Sequence, residues 1–266
     1  MKLKMSATGF LFILITSQSG YSSQSHAMMQ ADNLFELRSA VFDTTTLLAD
    51  TTNINQAITL YMNIIDTTEN RDVKHEALWK YLQCVFFKGL FGTHEIDLRK
   101  DIYSRGLAFS ENNGINEYDT APVHCWLGIL WGYWGEMNGN LAAARAGVPG
   151  KVREHAERTI ELNSTYLDAG GYRMLGRLHH KVPKIPLLLG WPSKVKAEYY
   201  LRKSCQMFPE NLFNKLYLAE LLLDRNQKEE ALQLLSEIVT QKEVVEGIAS
   251  DSWIKDKARR ILEELK

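Results

Sequence analysis

The sequence predicts an all-α protein built as a solenoid of helical hairpins. The segment from Lys196 to Val239 holds two similar helical stretches, and Ala197 and Ala231 within it are 34 residues apart, a spacing typical of helical repeats. Helical periodicities also alternate from residue 54 to the C-terminus, with no strand-like period-two run of any length. Small residues such as Ala219 are expected where two helices touch closely.

The C-terminal half resembles the tetratricopeptide repeat. That repeat has a Leu-Gly pair in helix A, a small residue near the start of helix B and a proline after its end. Leu175-Gly176 matches the helix A pair, and Pro209 follows a helix B. The resemblance implies an irregular tetratricopeptide-like helical-hairpin solenoid of about five units, whose concave face binds a partner.

The first residues have the pattern of a signal peptide. Two lysines, Lys2 and Lys4, precede a short apolar core and a polar stretch that ends at Ala27 with small residues suited to cleavage. The core is shorter than the ~20 apolar residues that span a bilayer, and no Cys follows it to accept a lipid. We therefore expect residues 1–27 to be a signal peptide, 28–266 to be a single repeat domain with its best repeat signal at 120–240, and the protein to be exported, periplasmic or secreted, and soluble. A disordered tail or a membrane anchor is the alternative.

The helices are predicted in alternating order. Residues 32–50 form an entry helix on the spacing of Leu34, Leu37, Val41 and Leu48. The helices B are predicted at 54–70, 96–114, 151–163, 196–209 and 229–239. The helices A are predicted at 72–89, 120–139, 173–178 and from 216 onward, and a polar capping helix is predicted at 251–266.

Punctuating residues set the predicted helix boundaries. Gly89 and Gly92 are expected to stop one helix A, and Gly135 and Gly139 to end the next, whose first turn contains Pro122. The Ala-rich stretch at 138–150 is predicted to be a loop.

The repeats are irregular. Aligned helix B positions are 42, 53, 45 and 34 residues apart, so the earlier units carry insertions in their turns. The most distinctive insertion is an excursion from His179 to Ser193 with three prolines and an apolar run, which is expected to pack over the helices or to line a groove.

The excursion and its flanks carry a second resemblance. Gly170-Gly171, three further residues and Leu175-Gly176-Arg177 precede it, and a helix B with a Pro-Glu-Asn turn follows. This order is similar to the T component of TRAP transporters and to the repeat domain of the regulator of microtubule dynamics family. The resemblance is strongest over 120–240, and it implies a binding or scaffold protein, with a periplasmic partner of a TRAP transporter as an alternative.

Composition and motifs exclude several function classes. Loss of Lys2 and Lys4 takes the formal net charge from −1 to −3, which does not indicate nucleic acid or an anionic membrane surface. The sequence has no Walker loop, GxSxG, GxGxxG, HExxH or CxxC, so no cofactor and no metal are predicted. The three cysteines, Cys84, Cys125 and Cys205, are expected to be buried thiols, with one disulfide as the alternative.

The predicted binding groove is aromatic. One helix A carries Trp126, Trp131, Tyr133 and Trp134, which either pack in the repeat core or line a groove for an apolar ligand. Arg177 either binds a ligand carboxylate or holds the excursion in place. The candidate groove residues are Trp126, Trp131, Trp134, Arg177, His179 and Trp191.

These observations predict a non-enzymatic protein that binds a protein segment or a small apolar ligand on its concave face. The alternative from another class is an enzyme with a dispersed site around His179, Arg177 and Glu198. The partner and the oligomeric state are not predicted.

Overall fold

The computed structural model describes residues 24–183 and 191–266, and these residues form a curled array of antiparallel helices. The helices are α1 at 24–36, α2 Thr52–Thr67, α3 Arg71–Phe91, α4 Ile96–Asn112, α5 Ala121–Asn138, α6 Asn140–Arg145, α7 Val148–Asn163, α8 Tyr166–Lys181, α9 Lys194–Met207, α10 Leu212–Asp224, α11 Lys228–Thr240 and α12 Ile248–Glu264. Residues 184–190, the centre of the predicted excursion, and most of the predicted signal peptide lie outside the described residues.

The predicted alternation of helices is confirmed. Helices α3, α5, α8, α10 and α12 contact one another in succession and form an inner layer, while α2, α4, α7, α9 and α11 each pack on a neighbour from outside. Ala197, Ala219 and Ala231, the predicted contact positions, are all fully buried. The all-α solenoid predicted from the sequence is therefore the fold of the chain.

The prediction of an entry helix over residues 32–50 is wrong. Helix α1 ends at residue 36, and a 3-10 turn at Leu37–Ser39 leads into a two-stranded antiparallel hairpin, β1 Phe42–Asp43 and β2 Leu48–Ala49. The Asp43 carboxylate accepts hydrogen bonds from the backbone N–H groups of Thr45 and Thr46 and so closes the turn. Aspartate and threonine offer the backbone this local alternative to a helix, and the apolar spacing alone did not reveal it.

The structure also differs from the sequence prediction at two helix ends and in one loop. Helix α3 continues through Gly89 to Phe91, and Gly89 instead provides the space in which the Tyr103 ring of α4 packs. Helix α5 similarly runs through Gly135 and ends at Gly139, which has a φ of 83°. The Ala-rich stretch predicted as a loop contains the short helix α6.

The start of α8 has an unusual backbone. Leu167, Asp168 and Ala169 have φ values of 50°, 52° and 61°, a left-handed conformation that L-residues rarely adopt. Arg173 donates hydrogen bonds to the carbonyl oxygens of Leu167 and Asp168, at 3.1 and 3.3 Å. Asn214 of α10 donates to the same Asp168 carbonyl at 3.2 Å. The next repeat therefore holds the strained turn in place.

The largest hydrophobic core lies in the first half of the array, between α2, α3, α4 and α5. Ala249 of α12 belongs to the same cluster, and Trp253 packs against it. The array thus curls until its last helix reaches the first repeats, and this curvature encloses a cavity on the concave side.

Candidate ligand-binding cavity

The concave side holds a cavity of about 340 Å³, which lies within the range typical of small-molecule sites. The inner helices α3, α5, α8 and α10 contribute most of its wall. The 3-10 turn near the N-terminus contributes Arg38, the connection into α12 contributes Glu246, and the first turn of α12 contributes Ser250. Both ends of the described chain therefore border one cavity.

The part of the wall that α5 forms is a row of glycines. Gly128, Gly132 and Gly135 are four and three residues apart and share one face of the helix. Gly128 and Gly135 allow close approach, since an added Cβ would lie 2.8 Å from the Met174 sulfur and 3.0 Å from a Val148 methyl group. At Gly132 nothing lies within 4 Å of an added Cβ. Among the three glycines, Gly132 is therefore the one whose missing side chain leaves open space in the cavity.

Aromatic side chains form much of the wall. The ring centroid of Phe86 lies 5.6 Å from that of Trp126 and 5.3 Å from that of Tyr133, so α3 and α5 share a continuous aromatic surface. Phe213 and Tyr217 extend the wall onto α10. These residues favour an apolar occupant.

An ion-pair network borders the cavity where α8 meets α10. Arg177 hydrogen-bonds to the buried Glu220, and its guanidinium lies 4.4 Å from the Tyr217 ring centroid. Lys257 of α12 and Lys181 also approach Glu220, at 2.8 and 3.2 Å. Burial alone would raise the pKa of Glu220, but the attraction of Arg177, Lys257 and Lys181 outweighs it and lowers the pKa. The carboxylate is thus held charged and ties α8, α10 and α12 together.

The pKa of Glu246 is shifted in the opposite direction from that of Glu220. Burial raises the pKa of this carboxyl group to about 7, and the partial compensation from Arg173 does not restore the usual value of 4.5. One carboxyl oxygen, Oε1, is buried without a hydrogen-bond partner among the described residues. Near neutral pH this part of the cavity wall therefore gains or loses a negative charge.

The predicted groove residues fall in three places. Trp126 and Arg177 line the cavity. Trp131 and Trp134 pack against each other with ring centroids 5.7 Å apart, and the indole N–H of Trp134 donates to Ser104. His179 is buried between Trp191 and Tyr200. The prediction that all six residues form one binding groove stays a prediction, and the cavity contains two of them.

The hydrogen-bond partners of Arg177, Glu198 and His179 bear on the two predicted roles of Arg177 and on the predicted enzyme site. Arg177 is ion-paired to Glu220, while Glu198 accepts hydrogen bonds from Arg202 and Arg225. His179 accepts the backbone N–H of Ser193 at Nδ1. Among the described residues, no hydrogen bond or ion pair joins Arg177, Glu198 and His179, the three residues of the enzyme alternative.

A histidine pair was missed at the sequence level. His124 of α5 and His155 of α7 lie with their Nδ1 atoms 3.0 Å apart, and the Nε2 atom of His124 hydrogen-bonds to Asp119. Burial lowers the pKa of His155 to about 4. The ring centroids are 5.2 Å apart, and a hydrogen bond between the two Nδ1 atoms requires one of them to carry the proton and the other to accept it.

Several cavity residues could have been found in the sequence. The glycines of α5 recur at helical spacing on one face, and Phe213 and Tyr217 are four residues apart on a helix A. Arg38 and Glu246 carry no such signal, because the superhelical curvature brings them to the cavity. The three cysteines are free thiols in the described structure, with Cys84 and Cys125 buried and Cys205 half-buried.

Two further features bear on function. No cluster of three or more His, Cys, Asp or Glu side chains within residues 24–183 and 191–266 is arranged to hold a metal ion. None of the helices in those same ranges combines the length and the apolar character required to cross a membrane.

Comparison with known proteins gives one family match and matches to solved structures. Two crystal structures of MamA are similar to this chain. The first has a TM-score of 0.43 at 14% identity and covers 84% of this chain and 97% of MamA. The second has a TM-score of 0.39 at 15% identity and covers 79% and 92%. A search of the curated proteins finds no match.

A family comparison matches the regulator of microtubule dynamics protein 1-3 over residues 41–189. The match confirms one of the two resemblances read from the sequence, and it begins well before residue 120, where that resemblance was expected to be strongest. The similarity to the TRAP T component stays an expectation from the sequence. Because the match covers more than half of the chain, this protein belongs to the family of regulator of microtubule dynamics protein 1-3.

Proposed function

We propose that this protein is a non-enzymatic binding protein that holds a small apolar ligand in its concave cavity. The observation that carries the proposal is the cavity itself, about 340 Å³ in volume and lined mostly by apolar and aromatic side chains of the inner helices. Transfer of apolar surface from water into such a site contributes about 25 cal/mol per Å². The occupant is therefore expected to bind mainly through its apolar part.

Native mass spectrometry of the gently purified protein tests this function. The expected result is a population whose mass exceeds that of the chain by one small molecule, which is lost when the protein is denatured. A variant with Trp126→Ala, which removes an aromatic wall residue, is expected to retain less of it. Trp131→Ala is the matched control, since Trp131 does not line the cavity. An apo mass for the wild type under all gentle conditions would contradict the proposal.

A protein segment is the second candidate occupant. A helical repeat array presents an extended concave surface, which is the usual binding face of such arrays. In the same experiment, a co-purifying protein that is displaced by wall substitutions such as Trp126→Ala would favour this candidate over the small ligand.

We further propose, from the N-terminal sequence, that the protein is exported and acts in the periplasm or outside the cell. The proposed cleavage point after Ala27 lies inside helix α1, where Met28 is buried. The N-terminal sequence of the protein isolated from its host tests this: an N-terminus at Met28 supports export, and an uncleaved chain recovered with the cytoplasmic fraction contradicts it.

A further inference from the structure

We propose that the cavity's ligand is an apolar chain that carries a single carboxylate, and that Arg38 binds this carboxylate. This inference rests on the proposed function, because it presupposes that the cavity holds a small apolar ligand.

Arg38 sits in the cavity wall among aromatic rings. It lies on the 3-10 turn Leu37–Ser39, and its guanidinium carbon is 4.1 Å from the Phe35 ring centroid and 5.6 Å from that of Phe87. Its side chain is only 24% exposed. The aromatic faces hold the planar guanidinium in position, so its edge is available to a planar acceptor.

The hydrogen-bonding capacity of Arg38 is largely unused. A guanidinium has five N–H donors. Among the described residues Arg38 uses one of them, from Nη1 to the Phe35 carbonyl oxygen at 2.9 Å. The remaining donors are left for solvent or for a ligand.

The charge of Arg38 is also poorly compensated. Within the described residues, Glu36 provides the one carboxylate within 4.0 Å, and that distance is too long for a hydrogen bond. The Glu36 side chain is 77% exposed, so solvent screens the pair. Burial lowers the pKa of Arg38, more than Glu36 offsets, as expected for a cation without a close anionic partner.

The other cations of the cavity, unlike Arg38, have close hydrogen-bond acceptors. Arg177 and Lys181 are paired with Glu220. Arg173 donates to backbone and amide oxygens, including that of Asn214 at 2.9 Å. Arg38 is therefore the cavity cation, among the described residues, that lacks both a close carboxylate and a set of neutral acceptors.

The charge of the cavity wall as a whole favours an anion. Its described lining residues include four cations and two carboxylates: Arg38, Arg173, Arg177 and Lys181 against Glu136 and Glu246. Because the pKa of Glu246 is raised to about 7, one of the two carboxylates is partly neutral at physiological pH. The cavity thus attracts negative charge.

A carboxylate fits this site better than a more highly charged group. Two parallel N–H groups of a guanidinium match the two oxygens of a carboxylate. Arg38 is the cavity cation, among the described residues, whose donors are mostly unused, so a phosphate monoester, with a charge near −2 and three acceptor oxygens, would have to draw on cations that already bind other acceptors. The apolar remainder of the ligand would lie along the aromatic wall.

The test compares two ligands that differ only in the head group, dodecanoate and 1-dodecanol, at pH 8. Both compete with an uncharged fluorescent probe on the wild type, on Arg38→Gln and on Arg105→Gln, the control that removes an arginine outside the cavity lining, where it is ion-paired with Asp101. We expect the wild type to prefer dodecanoate by about 10- to 100-fold, the range for a hydrogen bond to a charged group. Arg38→Gln is expected to lose this preference and to keep its affinity for the alcohol, while Arg105→Gln keeps both.

Each other outcome has a separate meaning. Equal binding of acid and alcohol by the wild type, or a preference that survives in Arg38→Gln, overturns this inference and leaves the proposed function standing. Binding of neither ligand overturns the proposed function and this inference together. Dodecyl phosphate that binds more tightly than dodecanoate overturns the choice of a carboxylate. If Arg38→Gln fails to fold, Arg38→Lys, which keeps the charge but not the fork, is expected to show a reduced preference, and an unchanged preference there counts against the inference.

Discussion

At the residue scale, the partners available to a buried carboxyl group at the cavity decide whether it is charged. Glu220 and Glu246 are both carboxyl groups at the cavity, yet their pKa values move in opposite directions. Glu220 has three cationic partners, whereas Glu246 has an unpartnered oxygen among the described residues. The same residue type is therefore held charged in one place and is partly neutral in the other.

Glu246 gives a pH-dependent prediction. Because its pKa in the folded state is about 7 and its usual value is 4.5, protonation favours the folded state, and its stabilising effect is lost as the pH rises from about 4.5 through 7. Glu246→Gln is expected to remove this loss and to increase stability at pH 8 by roughly 2–3 kcal/mol relative to the wild type. Urea unfolding at pH 5 and pH 8 measures the difference.

The control for this prediction is Glu243→Gln, which removes the same charge from an exposed position on the same connection. It is expected to leave the pH dependence of the wild type unchanged. If Glu246→Gln and Glu243→Gln behave alike, the burial of Glu246 is not the cause.

At the element scale, the left-handed turn at the start of α8 depends on the next repeat. Asn214 is fully buried. Its side chain accepts a hydrogen bond from Arg173 and donates hydrogen bonds to the carbonyl oxygens of Asp168 and Ser204. Strained backbone of this kind persists only when its surroundings hold it. The turn and the first residues of α10 therefore form one structural unit.

We predict that Asn214→Ala destabilises the protein by more than about 2 kcal/mol, because it leaves several buried groups without partners at about 1–3 kcal/mol each. Asn63→Ala, at an exposed position of α2, is the matched control and is expected to change stability by less than about 0.5 kcal/mol. Thermal or urea unfolding measures both, and similar effects of the two substitutions would show that the turn does not depend on Asn214.

Close helix contact at the glycines of α8 gives a second prediction at this scale. A Cβ at Gly171 would lie 2.9 Å from the Ala156 carbonyl oxygen and 2.7 Å from the Ile160 side chain. Gly171→Ala is therefore expected to cost about 1–3 kcal/mol through overpacking. Gly150→Ala, in α7 with nothing within 4 Å of the added Cβ, is expected to stabilise by about 0.5–1 kcal/mol. Effects of the same sign in the two variants would contradict this account of helix contact.

The elements also show how much of the fold the sequence predicts. The helical hairpins follow from local periodicity and from small residues such as Ala197 and Ala231, and the structure confirms them. The segment 32–50 was predicted wrongly because the Asp43 carboxylate accepts hydrogen bonds from the backbone N–H groups of Thr45 and Thr46 and closes a turn within an apparently helical pattern. Gly89 was misread as a helix end because close packing and helix termination favour the same residue.

At the scale of the whole molecule, the curvature of the array creates the cavity. Arg38 and Glu246 are more than 200 residues apart in the chain, yet both line it. Trp126 and Arg177 could be proposed from local sequence because they lie on inner helices with recognisable repeat motifs. The contribution of Arg38 and Glu246 to the cavity could not be proposed from local sequence, because it depends on the sum of small rotations between successive repeats.

The central claim is that the concave cavity is the binding site, and filling it at Gly132 tests this most directly. Affinity for the uncharged probe N-phenyl-1-naphthylamine is measured by fluorescence for the wild type, Gly132→Leu and Gly150→Leu. Both substitutions replace a helical glycine that has open space around it, but only Gly132 lines the cavity. We predict at least about a tenfold loss of affinity for Gly132→Leu and none for Gly150→Leu, because the new side chain occupies the volume that the probe needs. Equal affinity in all three proteins, or no binding by the wild type, would contradict the account.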